Sequence, residues 1–531
     1  MKTKQQFLLV LLTFSNIAAY SQVNVFQSAY GGNGDEYSNS VFQGADSSFV
    51  LSGWSTSFGA GSYDAYVSKV DETGAQEWTL NCGGAAGDWF RSGSPTSDGG
   101  YIFLGTYGCN LSTVGDLFLV KTDADGVVAW DKKIGGAAWD DGWRAIETSD
   151  GGYILCGFTY SYAAGQFDAY VVKTTSTGAI DWTRSVGGPA GENARSVVET
   201  SDGGFAIAGS TLSFGAGGSD VFVVKLDDTG ALSWLKTYGG TGDDWGYELQ
   251  ETSDGGLVVA GYTDSFGAGS DDCYVIKTDV AGTTTWAKTF GSTGNDKAFS
   301  ILENNDGDFV VSGYSTGFGG GQNILTFKMD ATGTAIWAKT YGGSSLEGAD
   351  EIYGTMDVAE AIGGYVTASY TESYGAGGQD FYLIKIDESG YSSCSDQTET
   401  MTVAVAAHTE ASQFPGSTTG GTSTNASATI GNETDEEVIE CSGVGMKELQ
   451  DPITVSIYPN PANGTLFVDL SDVIGNEMEF FIANSLGEIV HLSVVSAGQT
   501  HEVDVRTLSE GMYVLCVTSE GRPIFRERFI R

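Results

Sequence analysis

Short apolar runs closed by turn residues recur along the chain from Val23 to Tyr391. Val221–Lys225 is one of them, apolar at successive positions up to its lysine. A run that keeps no polar face reads as a strand buried on both sides. The lysine that ends it recurs at Lys69, Lys121, Lys173, Lys225, Lys277, Lys328 and Lys385. Tryptophans follow at Trp78, Trp130, Trp182, Trp234, Trp286 and Trp337, spaced 52, 52, 52, 52 and 51 residues apart. A fixed period of this size marks a repeat architecture in which each copy is one supersecondary unit.

Each copy reads as four strands. An Asp-Gly-Gly turn (Asp98, Asp150, Asp202, Asp254) divides the first strand from the second, and a Phe-Gly-Ala-Gly loop (Phe58, Phe214, Phe266) leads to the third. A D-x-x-G turn (Asp71–Gly74, Asp227–Gly230, Asp330–Gly333) leads to the fourth, which carries the tryptophan. Asp bonds its own backbone and Gly accepts φ > 0, so both suit hairpin turns. Seven four-stranded units predict an all-β fold, a seven-bladed β-propeller over residues 22–395, with a solenoid as the alternative. In the last copy the tryptophan position falls on Cys394, where the sequence turns polar. Phe26 stands five residues before Gly31, as Trp78 does before Gly83, so Val23–Tyr30 is expected to supply the missing outer strand of the seventh blade. Closure of that kind removes open sheet edges.

The D-x-x-G-x-x-x-W pattern of Asp227, Gly230 and Trp234 resembles pyrroloquinoline-quinone-like propeller repeats, and the wider pattern is similar to glycine-rich repeats of bacteroidetal and archaeal surface propellers. Quinoprotein dehydrogenases of that class use an adjacent cysteine pair and a calcium site. No Cys-Cys occurs here, so the resemblance implies the fold and not the quinone.

The two ends differ from the repeats. Lys2 and Lys4 precede an apolar run, Phe7–Phe14, and the small residues Ala18, Ala19 and Ser21, the layout of a signal peptide over 1–21. No later stretch reaches the roughly 20 apolar residues of a transmembrane helix. Residues 451–531 read as seven short alternating strands and predict a small Ig-like β-sandwich. Within them Tyr458-Pro459-Asn460-Pro461, then Asn484-Ser485-Leu486-Gly487, Gly511-Met512-Tyr513 and a basic end resemble the type A C-terminal sorting domain of the type IX secretion system. The resemblance implies export across an outer membrane by that machinery and display at, or release from, the cell surface. Residues 396–450 are Ser/Thr/Gly-rich and acidic, expected as a linker or as a loop tethered by a Cys394–Cys441 disulfide. Cys82 and Cys109 are a second conceivable pair.

Composition then narrows the chemistry. The formal charge of −43 excludes a phosphate-neutralising nucleic-acid surface and disfavours anionic lipid. All three histidines (His408, His491, His501) lie outside the repeats, which removes Ser-His-acid hydrolysis and His-based zinc from the propeller. Asp123–Gly126 starts like an EF-hand but lacks the later ligands, and it occupies the repeated turn.

Three columns of the repeat are candidate chemistry. An acid follows each glycine landmark by five residues: Glu36, Asp88, Asp140, Glu192, Asp244, Asp296 and Glu347. Ringed round one channel mouth, these carboxylates would raise one another's pKa or recruit Ca²⁺; otherwise each bonds backbone amides of a neighbouring loop. The loop aromatics Phe58, Tyr162, Phe214, Phe266, Phe318 and Tyr374 share that face, either for sugar stacking or as anchors between blades. Extra indoles at Trp89, Trp139, Trp143 and Trp245 cluster in copies 2, 3 and 5 and break the symmetry, as a real pocket would. The repeated lysines follow an Asp by five residues in six copies, which suggests ladder-end solvation or ion pairing between blades. The expected function is an exported, non-enzymatic binding or adhesion module for a glycan or another surface macromolecule. A polysaccharide hydrolase or lyase using a pair such as Asp140 and Asp244 is the alternative, and a purely structural surface protein is the third.

Overall fold

The structure, a computed structural model, describes residues 24–109, 115–318, 321–348 and 356–392, and between 396 and 530 a series of strands with short links. The leader 1–21, Cys394, and Pro459, Asn460, Pro461, Gly487 and Gly511 of the sorting motif lie outside the described residues. Every regular element among the described residues is a strand.

Seven antiparallel sheets form the body, and in six of them the four blade strands are consecutive in the chain. The first blade comprises Glu36–Gln43, Phe49–Ser55, Asp64–Val70 and Gln76–Gly83, and the pattern repeats through the sixth, Asp296–Glu303 to Ala335–Tyr341. The seventh takes its fourth strand from the other end of the chain. Phe26–Gly31 runs antiparallel to Asp380–Asp387 with Phe26 opposite Lys385, the pairing expected from the Phe26–Gly31 spacing. The innermost strands contact one another in succession, and the seventh meets both the sixth and the first, so the ring is a closed seven-bladed propeller.

Its core lies between blades, which is why the third strands are apolar on both faces. Leu117, Phe118, Leu119 and Val120, for example, are all fully buried. The tryptophan column docks each blade on the next: Trp78, Trp130, Trp182, Trp234, Trp286 and Trp337 lie over Gly126, Gly178, Gly230, Gly282, Gly333 and Gly390 of the neighbouring D-x-x-G turns. Those glycines have φ near +75°, and a Cβ on any of them would strike an indole. The repeated E-T-S-D-G-G run makes a second bridge. Glu147 accepts from Ser97 N at 2.6 Å and Ser97 Oγ at 3.0 Å, and Glu199, Glu251 and Glu303 repeat this with Ser149, Ser201 and Ser253.

The lysines pair differently from the expectation. Lys121, Lys173, Lys225 and Lys277 reach Asp98, Asp150, Asp202 and Asp254 of the Asp-Gly-Gly turns in their own blade, each at 2.9 Å. They do not pair with the Asp five residues before them, because five residues back along a strand is the opposite end of the blade. Cys82 is a buried free thiol, so it does not bridge to Cys109.

The segment after the seventh blade runs back round the ring. Gln397–Thr398, Thr402–Val405, Thr409–Gln413, Gly416–Thr418, Thr422–Thr424, Thr429–Gly431 and Glu436–Ser442 add a fifth antiparallel strand to blades six, five, four, three, two, one and seven in turn. Composition alone suggested a linker or tethered loop. An unpaired outer edge offers hydrogen-bonding groups to any extended chain, and Thr/Val/Ala alternation satisfies it. Met401 and Ala406 tuck into the apolar clusters behind their blades.

Further on, Ser456–Tyr458, Thr465–Asp469 and Thr500–Asp504 form a three-stranded sheet. Glu477–Asn484, Ile489–Ser496, Met512–Ser519 and Arg522–Ile530 form a four-stranded one, with Tyr513 of the sorting motif buried.

Candidate binding site at the channel mouth

Each innermost strand carries its acid at the first or second residue, and the side chains then alternate. The acid turns into the blade junction, whereas the residue after it (Tyr37, Trp89, Asp141, Asn193, Trp245, Lys297) turns the other way. Two residues on, the ladder skips Asn39, Arg91, Trp143, Arg195, Tyr247 and Phe299, a β-bulge in every one of blades one to six. A bulge inserts an unpaired residue and re-aims its side chain, here towards the channel. The acids repeat faithfully, while the two channel-facing columns differ from blade to blade.

The seven acids are fully buried and do not form a ring of free carboxylates. Glu36 accepts from Gly32 N at 2.7 Å and Ser55 Oγ at 2.7 Å; Asp88 accepts from Gly84 N at 2.7 Å and Gly108 N at 2.6 Å. Asp140, Glu192, Asp244 and Asp296 repeat the bond to the amide four residues before them. Glu347 takes Thr371 Oγ1 at 3.2 Å. Six of the seven acids also face a second carboxylate, the first residue of the preceding blade's third strand, across the landmark glycine. A Cβ on Gly83 would overlap both Asp64 and Asp88, and Gly135, Gly187, Gly239, Gly291 and Gly31 sit likewise. In the sixth blade Asn323 replaces the Asp opposite Glu347. Burial, with added repulsion from a facing carboxylate, pushes Asp88, Asp220 and Asp380 up to about 6, and burial also raises Asp64, Asp88's partner.

The six loop aromatics are packing groups. Phe58, Tyr162, Phe266 and Tyr374 lie against Tyr66, Tyr170, Tyr274 and Tyr382 at 5.1–6.1 Å between centroids, and Phe214 and Phe318 join interblade clusters. Phe58, Phe214, Phe266 and Tyr374 cover the second glycine of the pair, at Gly32, Gly188, Gly240 and Gly343, so both glycines of the landmark are accounted for.

The four extra indoles do come together. Trp89, Trp139, Trp143 and Trp245 line one cavity of about 380 Å³ at the mouth where the innermost strands begin. Such a volume suits a small ligand or one unit of a polymer. Trp89 and Trp143 are buried, and Trp139 stands at the rim, 42% exposed. Two arginines, both on bulges, interleave with them. Arg91 lies 4.1 Å from the Trp143 centroid, and Arg195 lies 4.3 Å from Trp143 and 3.9 Å from Tyr247. Asp141 is the one carboxylate among the described residues that lines this cavity. Arg91 Nη2 holds it at 3.3 Å, and Thr106 Oγ1 donates to its other oxygen. Below, Arg144 Nη1 meets Glu248 at 2.8 Å, with Ser300 Oγ between Glu248 and Asp357. Burial and Glu248 push Asp357 up. Past that network a second opening of about 320 Å³ lies where the strands end.

Asp140 and Asp244 are absent from the cavity lining, so the pair considered for acid–base work does not meet there. Among the described residues no three His, Cys, Asp or Glu side chains gather as metal ligands. Each acid pair offers at most four carboxylate oxygens, several already accepting from backbone N–H donors, a poor match to the six to eight oxygens that Ca²⁺ takes. Sequence reading missed Arg91, Arg195 and Tyr247. Their signal was variability: in a repeat whose other columns recur, the columns one and three residues after the acid change identity.

Residues 456–530 match the family model of the secretion system C-terminal sorting domain. Regulatory protein FlaEY of Caulobacter vibrioides is 30% identical over a 202-residue match that covers 35% of this chain; the chain spans only 20% of that relative's length. Among solved structures, the extracellular domain of a one-component system from B. thetaiotaomicron has a TM-score of 0.42 at 13% identity, covering 96% of this chain and 58% of that one. PorZ, a surface component of the type IX secretion system of Porphyromonas gingivalis, has a TM-score of 0.24 at 11% identity, covering 97% of this chain and 87% of that one. The sorting domain marks the chain as secreted to the cell surface and handled by the type IX machinery. No helix among the described residues is long and apolar enough to cross a membrane.

Proposed function

We propose that the protein is a surface-displayed binding module that takes a carbohydrate unit into the tryptophan-lined cavity at the channel mouth. The leader 1–21 serves the first export step. The C-terminal sheets, read as a small Ig-like sandwich, serve the second. The observation that carries the reading is the gathering of Trp89, Trp139, Trp143 and Trp245 from three blades into one cavity of about 380 Å³. Indole faces stack on pyranose rings, and a concave, largely apolar wall with a few polar groups is the usual form of a small-ligand site. Binding is favoured over hydrolysis because a glycosidase needs two carboxyls at a set separation, whereas Asp141 alone lines this cavity among the described residues and is held by Arg91.

Glycan-array binding of the secreted protein, followed by titration of the hits with Trp143→Ala, tests this. A tenfold or greater loss of affinity without product release is expected. Product release points to the hydrolase or lyase instead, and unchanged binding by Trp143→Ala removes the cavity from the site.

A further inference from the structure

Arg195 is the outlier of the cavity. Its side chain is 8% exposed and packed among Trp143, Trp245 and Tyr247, at 4.3, 5.1 and 3.9 Å from their centroids. Aromatic faces accept its charge from above and below, but the guanidinium donors point outward in its own plane. Its Nε and Nη1 have no acceptor among the described residues, and neither do the buried Nε1 atoms of Trp89 and Trp143. A buried donor left unmade is costly, so donors kept in that state mark where something else binds. Asn193 Oδ1 is the unmet acceptor beside them, and Asp141 is engaged by Arg91 and Thr106. Two arginines and one aspartate leave this lining with a surplus positive charge in a chain of net charge −43.

We propose that the cavity selects an acidic saccharide unit, whose anionic substituent (a carboxylate or a sulfate ester) accepts from Arg195 while its ring lies against the exposed rim indole, Trp139. The inference rests on the reading of the cavity as a carbohydrate site and names its ligand class. A planar guanidinium presents paired donors to either anion, and such charge-assisted bonds strengthen in a water-poor site. The overall negative charge repels acidic polymers at long range. Recognition is therefore confined to the cavity, and affinity is expected to rise with salt as that repulsion is screened.

The test titrates the full secreted chain, by tryptophan fluorescence and calorimetry, with four probes: an oligogalacturonate, its methyl ester, a sulfated galacto-oligosaccharide and its desulfated counterpart. At least one charged member is expected to bind tenfold or more tightly than its neutral counterpart. That preference disappears in Arg195→Gln and persists in Arg506→Gln, which removes an exposed charge paired with Asp504 in the sorting domain. Equal binding of charged and neutral members overturns the acidic specificity, and a preference that survives Arg195→Gln overturns Arg195 as the donor to the anion; either result leaves carbohydrate binding standing. Binding of none of the four, with an equally silent glycan array, overturns both readings. So does Arg195-dependent binding of a peptide carboxylate in their place. If Arg195→Gln does not fold, the acid-against-ester comparison on the unaltered chain decides.

Discussion

Phe26 lies against Gly74 as Trp78 lies against Gly126, so a ring from the strand Phe26–Gly31 occupies the docking position that tryptophan holds in the other blades. Tyr30 completes the match: its hydroxyl donates to Gly74 O at 2.6 Å, as Tyr238 and Tyr341 do to Gly282 and Gly390. The seventh blade is thus sealed by side chains of the same kind, in the same place, as the six built from continuous sequence.

Truncating that ring should open the ring of blades. Phe26 is 2% exposed, and Phe26→Ala is expected to cost about 3–5 kcal/mol, whereas Phe26→Trp restores the residue used by the other blades and should cost less than about 1.5 kcal/mol. Denaturant unfolding of the two variants decides; equal losses would show that Phe26 does not act as the tryptophan equivalent.

Acidity should stabilise the propeller before it harms it. Asp88, Asp220 and Asp380 have folded pKa values of about 6 against an ordinary 3.8, so the folded state holds protons that the unfolded chain has lost. Their stabilising protonation is complete near pH 4 and is lost as pH rises to about 6. Asp98, Asp150, Asp202 and Asp254 act oppositely. Threonine hydroxyls and then the paired lysines hold them at about 2, so their contribution is present above pH 4 and is lost as pH falls towards 2. Calorimetric melting from pH 3 to 8 should therefore peak at about pH 4–5. Asp220→Asn, which copies the natural Asn323, should raise the melting temperature at pH 7 by about 2 °C or more and flatten the slope above pH 5. A melting temperature that climbs steadily from pH 4 to 7 contradicts the carboxyl pairs.

The circumferential strand should protect the outer edges one blade at a time. Ala404 faces Thr289 across the ladder, and successive residues point their amides to opposite sides. One of Val403→Pro and Ala404→Pro therefore removes an inward N–H. Hydrogen exchange is expected to quicken in Thr284–Gly291 for that variant alone, with the outer strand Gln76–Gly83 unchanged. Identical exchange in both variants and the parent would mean the belt adds no protection.

Export should depend on the last strands of the chain. Deletion of 456–530 is expected to leave the protein inside the cell, read as loss of proteinase-accessible protein on whole cells; unaltered surface display would contradict the sorting assignment.

The blades were legible because their information is local: a 52-residue period, Asp and Gly at turn offsets, and an aromatic before each glycine landmark. Even closure could be read, since Phe26 and Gly31 keep the spacing of Trp78 and Gly83. The strand belt could not be read that way. Thr409–Gln413 and Gly416–Thr418 have too few apolar residues to announce a strand, and they become strands because an existing edge pairs with them. The acid column was visible as a column, but its direction was not. A strand's period of two states that Asp140 and Asp141 face opposite ways, and only the packed ring decides that Asp140 enters the junction and Asp141 the channel.

By itself, then, the sequence determined the fold class, the blade count, the closure and the address at the C-terminus, all carried by short-range spacing and motif. The tertiary structure decided which repeated positions are mortar and which are site. Trp89, Arg91, Trp143, Arg195 and Trp245 stand on three neighbouring blades and one beyond them, and they become a cavity only when the ring closes and a bulge turns each central residue inward. Spacing along a strand records how a residue alternates; it cannot record what stands opposite it across a channel built from other strands.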